Sequence, residues 1–144
     1  RQPELDFFYE GKGTNYLFPS EWNEFAAEIP AEELEKCGGS YILAYGKRLR
    51  GELGDEKMKS AAKSWSVWEG STSRLIPPTK ESILSKWAGD EFSLAFARIE
   101  NHYFTGGMGM SGSNDSRGIP GFFPREGWLL EDEQLAKISD VPTV

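Results

Sequence analysis

Cysteine and histidine are nearly missing from this 144-residue chain, which holds one of each. A lone Cys37 cannot close an intramolecular disulfide or build a thiolate zinc cluster, and its usage suits a reducing compartment, so a cytoplasmic address is expected. With no base nearby in sequence it reads as a structural or surface thiol, not a nucleophile. His102 alone cannot supply a metal-ligand set and reads as a hydrogen-bonded helix residue. No run reaches the roughly 18 apolar residues of a membrane span, and none has the pattern of a signal peptide. Basic residues are in deficit, 16 against 23 acidic for a net charge of −7. That balance disfavours nucleic acid and anionic membrane surfaces and mildly favours cationic ligands.

Period-two alternation is absent too, so the expected fold class is all-α. Serine-hydrolase chemistry has no foothold: the glycine-serine stretch Gly109 to Ser116 lacks the strand and helix that flank a G-x-S-x-G elbow, and there is no credible Ser/His/Asp set. What remains is enough apolar material, 38% of residues, for one core and a single domain over 1–144.

Helix signals run the length of the chain. Pro3 suits the first turn of a helix to Glu10, which Gly11 to Gly13 end, and a short helix follows Ser20. Pro30 opens an acidic helix that stops at Gly38-Gly39. Ser40 can then cap a helix carrying Tyr41, Ala44, Tyr45 and Leu49. From Asp55 or Glu56 to Thr72, the residues Met58, Ala61, Ala62, Trp65 and Trp68 recur at the spacing of one helical face. Thr79 can cap a helix around Ser82 to Trp87. Asp90 can cap a last one from Glu91 to about Phe104, with Phe92, Ala95, Phe96, Ile99 and Tyr103 on its apolar face.

Two carboxylates lie on these apolar arcs. Glu69 points within about 20° of Met58 on the helical wheel, and Glu100 lies one turn from both Phe96 and Phe104. A carboxylate withdrawn from water without a partner costs several kcal/mol or takes up a proton. Such a pair therefore calls for an internal salt bridge, with Arg48, Arg74 and Arg98 available, or for a cationic ligand; the residues alone divide evenly between the two.

Trp65-Ser66-Val67-Trp68-Glu69-Gly70 with Ser71-Thr72, and Ala97-Arg98-Ile99-Glu100-Asn101-His102-Tyr103-Phe104 with Gly106-Gly107, resemble the cap-domain signatures of proline iminopeptidases. These are prolyl aminopeptidases with an α/β-hydrolase fold. Glu4-Leu5-Asp6-Phe7-Phe8-Tyr9 is similar to the aromatic start of that cap, Phe18-Pro19-Ser20-Glu21-Trp22 to the turn that follows, and Gly38 to Gly51 to the next cap helix. The resemblance covers nearly the whole chain in order. It implies a helical cap domain excised from an α/β-hydrolase, its termini at the seams of an inserted domain and its catalytic serine, histidine and aspartate on the core of the same polypeptide. It implies no metal and no organic cofactor.

The same resemblance assigns recognition of a substrate's proline ammonium to Glu69 and Glu100, and part of the ring pocket to Phe8 and Phe104. At Phe8 the family more commonly has tyrosine, and the Gly11-Lys12-Gly13 region is one residue longer than usual, so Phe7 and Tyr9 stand as alternatives. Residues 105–127 depart from shorter family members and read as an inserted mobile loop, or as a flap anchored by Phe122, Phe123 and Trp128. The expected partner is a peptide with a free N-terminal proline. The rivals are a helical module that binds a basic peptide or partner helix through Trp65 and Trp68, and the cap of another α/β-hydrolase acting on amides, esters or epoxides.

Overall fold

The structure, a computed structural model, describes residues 2–74, 76–105 and 128–142. The described residues form helices and no strand, as expected. In order these are α1 (Gln2–Tyr9), α2 (Thr14–Leu17), α3 (Pro19–Ala27), α4 (Ala31–Glu35), α5 (Tyr41–Leu49), α6 (Asp55–Thr72), α7 (Lys80–Trp87), α8 (Asp90–Thr105), a 3₁₀ turn (Trp128–Leu130) and α9 (Asp132–Ala136). The chain divides into two compact units, Arg1–Asn101 and His102–Val144. In the second, α9 follows the 3₁₀ turn at once, and exposed apolar side chains occur at Leu130 and Ile138. Apart from Thr105, the loop expected over 105–127 lies outside the described residues, as do its anchors Phe122 and Phe123.

Local chemistry accounts for three helix starts in the first unit. Ser40 Oγ accepts from Leu43 N at 3.3 Å to cap α5, and Thr79 does the same for Ser82 N at the start of α7. Pro19 occupies the first turn of α3. Glu10 adds a cap from a distance, accepting from Ser40 Oγ at 2.6 Å and Tyr41 N at 2.8 Å, which ties α1 to the head of α5.

The core is aromatic. Phe25 stacks on Tyr45 with ring centroids 4.5 Å apart, Trp65 stands edge-on to Tyr45 at 5.4 Å, and Trp22 packs against Trp68. The phenol of Tyr45 donates to Phe25 O at 2.7 Å, so the polar tip of this ring is satisfied inside the core. Trp65 and Trp68 are at most 1% exposed. They fill the core, which removes them as anchors for an external partner.

Two expectations need correction at α8. Asp90 does not cap the helix from outside; it is its first residue and pairs with Lys63 at 2.7 Å. The apolar face read from the sequence also points outward, with Phe92 48% and Ile99 60% exposed, whereas Ser93, Ala97 and Asn101 are buried. Small side chains let α8 approach its neighbours closely. Ser66 Oγ on α6 donates to Ser93 O at 3.3 Å, and Asn101 Nδ2 donates to Ile42 O on α5 at 2.9 Å. Gly46 admits that asparagine, because a Cβ there would lie 2.8 Å from Asn101 Oδ1.

Candidate functional site

Glu69 sits in the last turns of α6, and its neighbours fix where it points. Trp65 and Trp68 anchor the helix face in the core, and Gly70 lets α7 close on it, since a Cβ would lie 2.6 Å from the Trp87 ring. Glu69 is thereby held half-buried. Glu100 follows Ser93 by seven residues, which is about 20° short of two full turns, so it shares the inward side of α8 with Ser93 and Ala97. It too is half-buried. The carboxylate therefore faces inward because of the small-residue stripe, not because of the aromatic arc inferred from the sequence.

The charge of Glu100 acts on Glu69. Burial pushes the Glu69 carboxyl up to about 8, and the charge of nearby Glu100 adds to the shift. Glu100 is also raised by burial, opposed by a hydrogen bond from Trp65. That bond runs from indole Nε1 to Glu100 Oε2 at 2.7 Å, and the same indole stacks on Tyr9 at 4.6 Å between centroids.

No internal cation neutralises the pair among the described residues. Arg48, the one buried arginine there, is spent elsewhere: its guanidinium binds Glu28 at 2.6 Å and Glu33 at 2.7 Å. The Arg48 contact, with help from Lys57 at 2.7 Å, holds the Glu33 carboxyl down to about 2. Arg74 and Arg98 are exposed and form no ion pair with either glutamate. Of the two explanations left open by the sequence, an Arg–Glu bridge is the one that finds no partner among the described residues.

The aromatic residues divide by position. Tyr9 is 3% exposed and belongs to the core, Phe7 is 42% exposed, and Phe8 lies between them, with its ring 5.6 Å from Phe7 and 6.4 Å from Tyr9. Through Tyr9 and Trp65, Phe8 is linked to Glu100 by successive ring contacts and one hydrogen bond. Phe104 is a half-buried residue of the second unit. The Trp65 donor was invisible to sequence reasoning, because its partner is 35 positions away and its spacing marked it only as core.

Other features do not compete for this chemistry. A groove of ≈390 Å³ between α3, α6 and α7, floored by Phe25, Val67, Trp68 and Ile83, includes neither glutamate. Among the described residues there is no cluster of His, Cys, Asp and Glu able to hold a metal, and no helix is long and apolar enough to cross a membrane. Cys37 is buried, and His102 is exposed beside Tyr103.

No family profile matches the chain. Individual proteins do. A probable proline iminopeptidase of Leptolyngbya boryana is 40% identical over 145 residues, covering all of this chain. The proline iminopeptidase of Xylella fastidiosa is 38% identical over the same span, and that of Arabidopsis thaliana is 39% identical over 99% of the chain. The chain is homologous to a segment of the proline iminopeptidases. It spans 38% of the length of the Leptolyngbya protein, 39% of the Xylella protein and 32% of the Arabidopsis protein. The chain thus belongs to this family and carries the glutamate pair in the C-terminal halves of the two longest helices among the described residues.

Proposed function

We propose that this chain is the substrate-recognition cap of a serine aminopeptidase that releases N-terminal proline from peptides. The observation that carries the proposal is the pair Glu69 and Glu100, two half-buried carboxylates that share a field and lack a cation among the described residues. A substrate with proline at its N-terminus brings a secondary ammonium with two N–H donors and one positive charge. It offers a donor to each glutamate, and charge-assisted bonds are the stronger kind. The apolar five-membered ring then rests on Phe8.

The cap acts by position. With the amine fixed, the prolyl carbonyl is presented to a serine nucleophile on the α/β-hydrolase core of the same polypeptide, where misplacement by about 1 Å costs on the order of a hundredfold in rate. Serine attack forms a prolyl-enzyme ester as the peptide amine leaves, and water releases free proline. The serine and its histidine and aspartate are supplied by the core, so the isolated chain binds without turning over. The enzyme works in the cytoplasm, on peptides, with neither nucleic acid nor membrane as partner. The homology to proline iminopeptidases supports this reading over the cap of an amide, ester or epoxide hydrolase, because a neutral substrate has no use for two carboxylates.

The test is a titration of the chain with prolinamide and with N-acetylprolinamide, followed at the Trp65 indole N–H by NMR. Prolinamide should shift the Trp65 signal and the acetylated compound should not, and Glu69→Gln should weaken the response. Equal responses to both compounds would overturn amine recognition, and hydrolysis of a prolyl anilide that tracks the purified chain would overturn the cap assignment.

A further inference from the structure

Beside Phe8 a second feature has no role in amine recognition. A groove of ≈670 Å³ opens between α1, α2 and the end of α6, with Phe8 and Phe18 on its walls and Thr72, Ser73 and Arg74 along one rim. Arg74 is exposed and forms no ion pair among the described residues. Thr14, a residue 1% exposed, also lines the groove, and its buried hydroxyl has no hydrogen-bond partner. Glu21 is the acidic lining residue, and its charge acts on Lys80. The C-terminal end of α6 is itself electronegative, so among the described lining residues Arg74 is the source of attraction for an anion.

The groove shares Phe8 with the proposed ring pocket, and Arg74 follows Glu69 by five residues. α6 ends at Thr72, so Arg74 lies just past the helix, where it lines the same groove as Phe8. An extended dipeptide or tripeptide spans about 7 to 10 Å. Phe8 and Arg74 line one groove, so a short peptide whose proline ring rests on Phe8 has Arg74 in the same groove for its other end.

We propose that Arg74 is a specificity-determining residue that binds the C-terminal carboxylate of dipeptides and tripeptides, making this cap selective for short prolyl peptides with a free carboxylate. The proposal rests on amine recognition by Glu69 and Glu100. The guanidinium presents paired N–H donors to the two carboxylate oxygens.

The experiment titrates the 144-residue chain with prolyl-glycine and with prolyl-glycinamide, which differ only in the charge at the far end. Prolyl-glycine should bind about three- to tenfold more tightly. Arg74→Gln should abolish the difference by weakening only prolyl-glycine, and Arg74→Lys should restore part of it. Glu69→Gln should weaken both peptides alike, which separates failure of the amine site from failure of the carboxylate site. Equal affinities in the unaltered chain, or a preference that survives Arg74→Gln, would overturn the proposal. If neither peptide binds, acetylglycine decides: a shift of the Arg74 Nε–H signal that is lost in Arg74→Gln sustains the carboxylate site, and no shift overturns it.

Discussion

Trp65 Nε1 donates a 2.7 Å hydrogen bond to Glu100 Oε2, joining the aromatic core to one of the two carboxylates. A buried indole N–H needs an acceptor, and a withdrawn carboxylate needs a donor. Each satisfies the other. The bond orients Glu100 from the core side, while Oε1 accepts no hydrogen bond from the described residues.

Replacement of Trp65 by Phe keeps an aromatic ring and removes the donor. Because this bond is what opposes the effect of burial on Glu100, the Glu100 carboxyl should rise further in Trp65→Phe. Loss of a hydrogen bond to a charged group, together with some packing, should cost about 2 to 4 kcal/mol of stability. Urea unfolding measures the cost, and a pH titration of the Glu100 side-chain carbon measures the shift. An unchanged Glu100 titration would mean that the indole does not govern its ionisation.

The sequence announced much of this arrangement and misread part of it. The stripe from Met58 to Trp68 was legible because large apolar residues at helical spacing are core residues, and both Trp65 and Trp68 are buried. The serine and threonine caps of α5 and α7 were legible for similarly local reasons. At α8, periodicity weighs large apolar side chains, while close helix packing selects small ones; Ser93 and Ala97 turn inward and Phe92 and Ile99 turn out. The four-residue α2 passed unnoticed among glycines, since so short an element has no period. That Arg48 serves Glu28 and Glu33, leaving Glu69 unpaired among the described residues, is a fact of tertiary packing that no spacing encodes.

Arg48 is 4% exposed and binds two half-buried glutamates, so truncation takes the cation from Glu28 and leaves Glu33 with Lys57 alone. Arg48→Ala should destabilise the fold by about 3 to 5 kcal/mol, and Arg48→Met, which retains packing, by less. The depressed Glu33 carboxyl adds a pH signature. Its stabilising contribution is complete above its ordinary value of 4.5 and is lost as pH falls toward about 2. Acid unfolding of the Arg48 variants should show a shallower dependence in that window, and identical acid profiles would exclude the ion pair as its source.

Glu69 gives the opposite sign at higher pH. Below its ordinary value of 4.5 both folded and unfolded chains hold the proton, and between there and about 8 only the folded chain does. The unfolded state then binds fewer protons, so stability falls as pH rises through this window, by at most about 1.4 kcal/mol per unit. Glu69→Gln should remove that slope and be more stable than the unaltered chain at pH 8.5, with little difference at pH 4. Amine binding should release a proton near neutral pH, measurable as a buffer-dependent heat in calorimetry. If the pH dependence of stability is the same with and without Glu69, its carboxyl is not held neutral by the fold.

In the full-length enzyme, Glu69→Gln and Glu100→Gln should each lower kcat/KM for prolyl substrates by removing one charged partner of the amine. A lost charge-assisted hydrogen bond is worth about 1.5 to 3 kcal/mol, or roughly ten- to two-hundredfold. Glutamine preserves shape and one acceptor, so the loss reports charge more than packing. If, as proposed, both carboxylates act on the same cation, their effects should not add, because they share a partner. The double variant should therefore lose less, or more, than the product of the two single losses, the sign showing whether the remaining carboxylate compensates or depends on its neighbour. A substrate acylated on its proline nitrogen has no ammonium, and its slow turnover should barely respond to either substitution. Normal prolyl turnover in both folded variants would show that the amine is held elsewhere, and parallel losses on the acylated substrate would show that the glutamates position the cap and not the amine.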